Sequence, residues 1–254
     1  MSRKPKQKKV LSIEQQVRRR TLRAFVIFFA LLGAGWVLFM RLYHEQREDG
    51  VQATLRKGLR LNERLFSSTF STRRIAKKYA VSEAAPRVRV NGDLGTAKPV
   101  DTVNWRMKVV RMPGDTLQLT LDDIKRLPRT DVVFDFKCIE GWDQVTHWGG
   151  VRFSDFIKAY HLDAEMLKQY AGLQTPDKQY YVGIDMASML QPQTILCYEV
   201  NGRPLPLEQG YPLRLIIPVK YGIKHLKRIG TLYFSNTRPP DYWAERGYDY
   251  YAGL

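Results

Sequence analysis

Residues 132–151, VVFDFKCIEGWDQVTHWGGV, constrain the chain more than any other stretch. They open with strict alternation. Val132, Phe134 and Phe136 fall on one side, Val133 and Asp135 on the other. A period of two predicts a strand with one buried face. The strand runs into Cys138, and Gly141, Gly149 and Gly150 then predict a Gly- and Trp-rich loop. A thiol there suits a soft metal at the mouth of a pocket, because a thiolate is the soft, charged ligand such a metal prefers. A free cysteine packed as a small hydrophobe fits the same pattern.

The formal net charge of +16 is unevenly spread. Residues 1–41 hold ten lysines and arginines against one acidic residue, whereas residues 100–254 hold nineteen against eighteen. The basicity belongs to the N-terminal part, which argues against a nucleic-acid-binding domain. Residues 1–23 read as a basic tail carrying Arg3, Lys4, Lys6, Lys8, Lys9, Arg18, Arg19, Arg20 and Arg23. Residues 24–41 read as a transmembrane anchor. The uncharged run of residues 24–40, as a helix, spans about 26 Å, close to a hydrocarbon core. Arg23 and Arg41 can snorkel from its ends. The charge excess places the N-terminal side in the cytoplasm and the rest across the membrane. Arg18-Arg19-Arg20 before the apolar run is similar to a twin-arginine export signal, though positive-inside charge alone accounts for it. The small residues before Arg41, between Ala30 and Gly35, sit inside the apolar run rather than after it, so a retained anchor is expected.

Residues 42–86 form a charged linker with helical character. Leu55, Leu59, Leu61, Leu65 and Phe66 give a rough apolar stripe among Arg56, Lys57, Arg60, Arg64, Arg73, Arg74, Lys77 and Lys78. A solvated connecting helix, a membrane-surface helix and a helix docked on a membrane partner all fit it. Residues 87–254 read as the main domain. Strands are expected at 105–110 and 116–121 around Pro113-Gly114, and a short helix at 121–127 ended by Pro128. A second helix is expected at 153–160, with Ser154 as N-cap and Phe153, Phe156 and Ile157 inward. Further strands are expected at 195–200, with Cys197 in the core, and at 229–234. With only two cysteines, a disulfide framework is not expected.

Cys138-Ile139-Glu140-Gly141-Trp142 and Trp148-Gly149-Gly150-Val151 resemble the cofactor-cysteine segment of the sulfite oxidase-type molybdopterin oxidoreductases. The match extends downstream. Gly210-Tyr211-Pro212-Leu213-Arg214 carries an arginine at the family's phosphate-binding point. Lys220-Tyr221-Gly222-Ile223-Lys224-His225-Leu226-Lys227 resembles the family's Lys-Tyr-Gly-x-Lys-x-x-Lys motif, in which Gly222 would permit a bend. Several separated motifs occur in the family's order, from about Arg87 to the C-terminus. The nearest branch is the periplasmic methionine-sulfoxide reductase catalytic subunit.

The resemblance implies an α+β fold, a sulfite oxidase-type molybdopterin-binding domain preceded by one transmembrane helix. It implies a molybdenum-molybdopterin cofactor whose metal is bound by Cys138. Arg214, Lys224 and Lys227 would hold the pterin phosphate, with His225 and Leu226 lining the pterin. Asn91, Gly92 and Asp93 would touch the pterin from upstream, although an ordinary Asn-Gly turn also fits. Thr175 falls by spacing where that branch places a threonine near the pterin, and equally suits a plain turn. Gln209 stands where relatives carry a cofactor-contacting asparagine. Glu140 joins Cys138 as a catalytic candidate. Neither the immunoglobulin-like dimerisation domain of sulfite oxidase nor a haem domain is expected.

The expected activity is oxygen-atom transfer on the periplasmic side of an inner membrane, with a small-molecule or protein-bound sulfoxide as substrate. No arginine follows Cys138 until Arg152, so a neutral substrate suits the site better than sulfite. A sulfite-oxidising enzyme, a non-catalytic tethered binding module and a structural envelope protein are the alternatives. Electrons would come from a membrane haem or quinone-linked subunit. The tail at 239–248, rich in aromatics, is expected to cover the site entrance or simply to cap the domain.

Overall fold

The computed structural model describes residues 12–48, 50–69 and 75–254. The tail residues Arg3, Lys4, Lys6, Lys8 and Lys9, the Arg73-Arg74 pair and the Phe66 side chain lie outside what is described.

The first element is helix α1, Ile13–Tyr43. It extends about 46 Å at the usual helical rise and starts eleven residues before the apolar run, inside the expected polar tail. The reason is local. Ser12 Oγ accepts from the Gln15 N–H and the Gln15 side chain accepts from the Ser12 N–H, a capping box that nucleates the helix ahead of Arg18. No residue of α1 is buried. By length and composition it is long enough to cross a membrane.

A short hairpin follows, β1 (Arg47–Glu48) with β2 (Val51–Gln52), and then helix α2 (Ala53–Thr69). Most of the leucine stripe of α2 does not turn inward. Leu55, Leu61 and Leu65 are exposed and Leu59 is half-buried, whereas Arg56 is buried.

The remaining elements build two five-stranded sheets among the described residues. In chain order they are β3 (Met107–Met112), β4 (Asp115–Leu119), α3 (Leu121–Lys125), β5 (Arg129–Lys137), β6 (Asp143–Arg152), α4 (Phe153–Ala159), α5 (Asp163–Met166), β7 (Tyr170–Gln174), β8 (Tyr181–Asp185), α6 (Met186–Met189), β9 (Ile195–Val200), β10 (Arg203–Pro204), β11 (Arg214–Ile216) and β12 (Thr231–Ser235). One sheet runs β10-β9-β6-β5, with β11 also paired to β9, and is antiparallel throughout. The other runs β4-β3-β12-β7-β8, and its β3–β12 pair is parallel.

The larger core lies between helices and sheets. Met107, Val109, Leu173, Val182 and Leu232 of the second sheet meet Val151, Leu196 and Leu215 of the first and Phe153, Phe156 and Ile157 of α4. A smaller cluster, with Val132, Phe134, Trp148, Cys197 and Ile216, covers another face of the first sheet. The alternation at 132–136 is therefore a strand with one buried side, and Cys197 belongs to the core.

Two local expectations change. Gly149 and Gly150 lie inside β6, not in a loop. They mark a register shift against β9, and a Cβ on Gly150 would sit 2.2 Å from the Leu196 carbonyl oxygen. Glycine is there to let two backbones approach, not to turn the chain. Helix α4 also begins without a side-chain cap. Its N-cap is Arg152, and Ser154 falls in the first turn, because β6 runs directly into the helix and the Phe153 N–H donates to the Thr194 carbonyl of a neighbouring segment.

Candidate active site

The β5–β6 hairpin delivers the thiol. Its turn, residues 138–142, is closed by the Cys138 N–H donating to the Trp142 carbonyl at 2.9 Å and the Gly141 N–H donating to the Cys138 carbonyl at 3.1 Å. Gly141 takes φ +88°, which a side chain would resist. Cys138 thus sits where β5 ends, 6% exposed, at the wall of a cavity of about 370 Å³. That volume lies in the range of small-molecule sites.

The short strand β11 brings Arg214 to the same cavity, in register with Cys197 of β9. The guanidinium is 3% exposed. Its Nη1 donates to the Gln209 backbone oxygen at 3.1 Å and to Gln209 Oε1 at 2.7 Å, and its carbon stands 4.5 Å from the Trp148 ring centroid. Nε has no partner, and no acidic residue among the described ones pairs with Arg214. Burial pulls its pKa down to about 10. A charge buried without a counter-ion is costly unless a ligand supplies one. Gln209, in turn, donates its amide to the Val88 and Arg89 carbonyls at 3.2 and 3.3 Å, which fixes its carbonyl oxygen toward the arginine.

Lys227 is the second cation on the cavity wall. Its ammonium donates only to the backbone carbonyls of Asn91 and Gly92, at 2.9 and 2.8 Å. Burial and then the Arg214 charge lower its pKa to about 8. These bonds pin the turn in which Gly92 takes φ +63°, and so bring Asn91, Gly92 and Asp93 to the cavity. The Asn91 amide lies 3.7 Å from Cys138 Sγ. Glu140 is held below the usual carboxylate range by hydrogen bonds from Asn91 and Trp142, helped by the Arg89 charge. It stands on the cavity wall with its ionised form favoured.

His225 also lines the cavity, but both its nitrogens face backbone. The Ile217 N–H donates to Nδ1 at 3.4 Å, so Nε2 carries the proton and donates to the Lys220 carbonyl at 3.1 Å. Burial, then the Arg214 charge, pushes its pKa down to about 3, so the ring is neutral. It offers the cavity ring carbons, packed edge-on against Phe136 at 4.8 Å.

Three expected residues are not among the cavity's lining. Lys224 pairs with Asp241 at 2.5 Å and donates to the Gly183 carbonyl at 3.0 Å. A lysine 1% exposed needs a counter-ion, and Asp241 supplies it. Lys220 is paired likewise with Asp185 at 2.7 Å. Of the three motif lysines, only Lys227 reaches the cavity. Thr175 is buried in its own turn, where its Oγ1 meets Asp177 Oδ1 at 2.6 Å and accepts the Tyr180 N–H at 3.1 Å. It is a support, because Gly95 packs on it and Tyr180 lines the cavity. Leu226 is a core residue. Gly222 is needed for close approach and not for a bend: its Cβ would lie 2.9 Å from the Phe136 ring.

The rim is aromatic. Trp142 stacks on Phe136 at 5.9 Å, and the Arg89 guanidinium lies 4.5 Å from the Trp142 ring. Trp243 and Tyr248 of the C-terminal segment line the cavity too, as expected for a cover. Trp148 and Gln209 are the residues that sequence reasoning undervalued. Only their placement beside a lone buried arginine shows what they do.

Comparison with known proteins identifies the family. A family model described as the oxidoreductase molybdopterin binding domain matches residues 94–243. The chain belongs to that family and is a molybdenum-dependent oxidoreductase with a molybdopterin cofactor and a sulfite oxidase-type fold. It is 32% identical over 208 residues to a protein of Azospira oryzae named putative protein-methionine-sulfoxide reductase subunit YedZ1, covering 81% of this chain and 78% of that one. It is 27% identical to the protein-methionine-sulfoxide reductase catalytic subunit MsrP of Campylobacter jejuni, covering 62% of this chain and 59% of the other. To MsrP of Burkholderia mallei it is 30% identical, with 63% and 52% covered. The chain thus spans little more than half the length of the two catalytic subunits. Among solved structures, the sulfane dehydrogenase SoxCD of Paracoccus pantotrophus superposes with a TM-score of 0.49 at 18% identity, over 56% of this chain and 41% of that one.

The residues present fit the cofactor. An orphaned guanidinium nitrogen and an ammonium without an acidic hydrogen-bond partner form a cradle for an anion, and a buried thiol opens on the same cavity.

Proposed function

We propose that this chain is a membrane-anchored catalytic subunit that transfers an oxygen atom on the periplasmic side, reducing a sulfoxide. The observation that carries the proposal is the division of the cavity. Its interior holds Arg214 with an unpartnered Nε, and its rim is aromatic, with the one nearby cation, Arg89, laid over Trp142. The interior suits the pterin phosphate, which a guanidinium binds through paired N–H groups. The rim suits a neutral substrate better than an anion.

In this proposal Cys138 is the thiolate ligand of the metal, while Arg214 and Lys227 hold the phosphate. Asn91, Gly92, Asp93 and the His225 ring pack on the pterin. When bound, the molybdenum centre exchanges one oxygen atom and two electrons with the substrate. Glu140, kept ionised, holds the Asn91 amide close to the Cys138 sulfur. Lys224, Thr175 and Leu226 support the cavity from behind. Reduction of a sulfoxide takes up two electrons and two protons and releases a sulfide and water. A membrane haem or quinone-linked subunit supplies the electrons. Relatives named as methionine-sulfoxide reductase subunits support the substrate class, and α1 supports the anchor.

The test is metal analysis of the full chain beside Cys138→Ser, made in a host that synthesises molybdopterin, followed by turnover with a viologen donor. Near-stoichiometric molybdenum that collapses in the variant, with sulfoxides reduced and sulfite ignored, is expected. Equal molybdenum in both proteins, or fast sulfite oxidation without sulfoxide reduction, overturns the proposal.

A further inference from the structure

We propose that α2 is an interfacial helix that lies on the headgroup surface and clamps the catalytic domain to the membrane. The inference rests on the anchor reading of α1.

The two faces of α2 are reversed from those of an ordinary surface helix, which turns its leucines to the core. Arg56, Arg60 and Glu63 share one side at helical spacing. Arg56 is buried, its Nη1 donating to the Tyr248 carbonyl at 3.1 Å and its Nη2 to the Ala244 carbonyl at 2.6 Å. Glu63 accepts from Arg238 at 2.6 Å, and Arg60 pairs with Glu48. The polar side therefore docks on the domain. The opposite side presents Leu55 at 57% exposure and Leu61 and Leu65 at 56% each, with exposed Lys57 and Arg64 beside them. Leucines flanked by lysine and arginine are what an in-plane helix offers to acyl chains and anionic headgroups.

The position of α2 selects the membrane as the occupant of that face. Helix α1 ends at Tyr43. Two residues later Glu45 accepts from both the Thr54 N–H, at 3.0 Å, and the Thr54 hydroxyl, at 2.7 Å, and the Gln46 carbonyl accepts the Ala53 N–H at 3.1 Å. The start of α2 is hydrogen-bonded to the chain just as it leaves the span, so no slack linker separates the helix from the bilayer surface. Arg56 then ties α2 to Tyr248, which lines the cavity. Seating the leucines fixes the cavity rim relative to the membrane plane, where a membrane-bound electron donor works.

The experiment places an environment-sensitive fluorophore at Leu61→Cys, or at Phe29→Cys within α1, in the full chain reconstituted into phosphatidylcholine–phosphatidylglycerol nanodiscs. The chain without an added cysteine serves as labelling blank, since Cys138 and Cys197 are buried. A nitroxide lipid carrying its spin near the headgroup should remove roughly half of the Leu61 emission, as expected for insertion about 5–10 Å deep, and a chain-end nitroxide much less. The Phe29 probe should show the opposite order. Quenching at Phe29 with none at Leu61 overturns the α2 inference and leaves the anchor standing. Quenching at neither removes both. A Leu61 emission blue-shifted yet unquenched by either lipid assigns the face to a protein contact and overturns the membrane proposal.

Discussion

Replacing Arg214 with methionine separates a cofactor ligand from a structural residue. In the cofactor-free protein the buried guanidinium is a burden, because its pKa falls from 12.5 to about 10 under desolvation. At 1.36 kcal/mol per unit, that displacement costs the folded state roughly 3 kcal/mol. Against it stand the bonds to Gln209, worth about 1.5–3 kcal/mol as charge-assisted hydrogen bonds, and the contact with Trp148, worth about 0.5–2 kcal/mol. The opposing contributions nearly cancel. Arg214→Met should therefore leave the cofactor-free domain within about 2 kcal/mol of the parent, against the 3–5 kcal/mol lost when one partner of a buried ion pair is removed. The check is thermal unfolding of protein made in a host unable to synthesise molybdopterin, where the midpoint should move by less than about 8 °C. In a competent host the same variant should lose at least about tenfold of its molybdenum, the consequence of removing some 1.4 kcal/mol or more of phosphate binding. A cofactor-free protein that fails to fold, or molybdenum content that stays at the parental level, would refute the reasoning.

Lys227 yields a pH signature. Its folded pKa of about 8 lies below the 10.5 of the unfolded chain, so the unfolded chain holds the extra proton between those values and cofactor-free stability rises with pH across that window. Lys220, which burial also lowers to about 8, titrates alongside it. Urea titrations from pH 7 to 10.5 should show that slope reduced by one proton in Lys227→Met, with cofactor uptake by the parent weakening above pH 8. His225 acts at the other end. With a folded pKa of about 3 against 6.5 unfolded, it removes stability as pH falls from 6.5 toward 3, by up to about 1.4 kcal/mol per pH unit. His225→Gln should flatten that acid limb in the same titrations. Gly150→Ala, whose new Cβ would meet the Leu196 carbonyl at 2.2 Å, should cost about 3 kcal/mol or more and show it as loss of soluble folded protein.

The parts of the fold legible in the sequence are those governed by near neighbours. The alternation at 132–136, the Phe153-Phe156-Ile157 spacing of α4 and the apolar strand at 195–200 each report a buried face directly. Cys138 was legible through the motif around it, and Arg214 through the need of a buried charge for a partner. What remained hidden depends on residues distant in sequence. Gly149 and Gly150 looked like a loop because their glycines answer to the backbone of β9, more than forty residues on. Which side of α2 meets the domain was not legible either, because the groups that hold its polar side, Arg238 and the carbonyls of Ala244 and Tyr248, lie at the far end of the chain.

The lysines of residues 220–227 make the same point for the site. All three belong to the motif, and the resemblance assigns Lys224 and Lys227 to the phosphate. Asp185 neutralises Lys220 and Asp241 neutralises Lys224, from strands and loops that the motif does not contain. Lys227 alone is left with backbone carbonyls, which satisfy its hydrogens without cancelling its charge. Together with Arg214, whose Nε is unpartnered, it leaves positive charge on the cavity wall without a hydrogen-bonded acidic partner. Such an arrangement favours a bound anion, so the cavity suits a ligand that the fold itself does not provide.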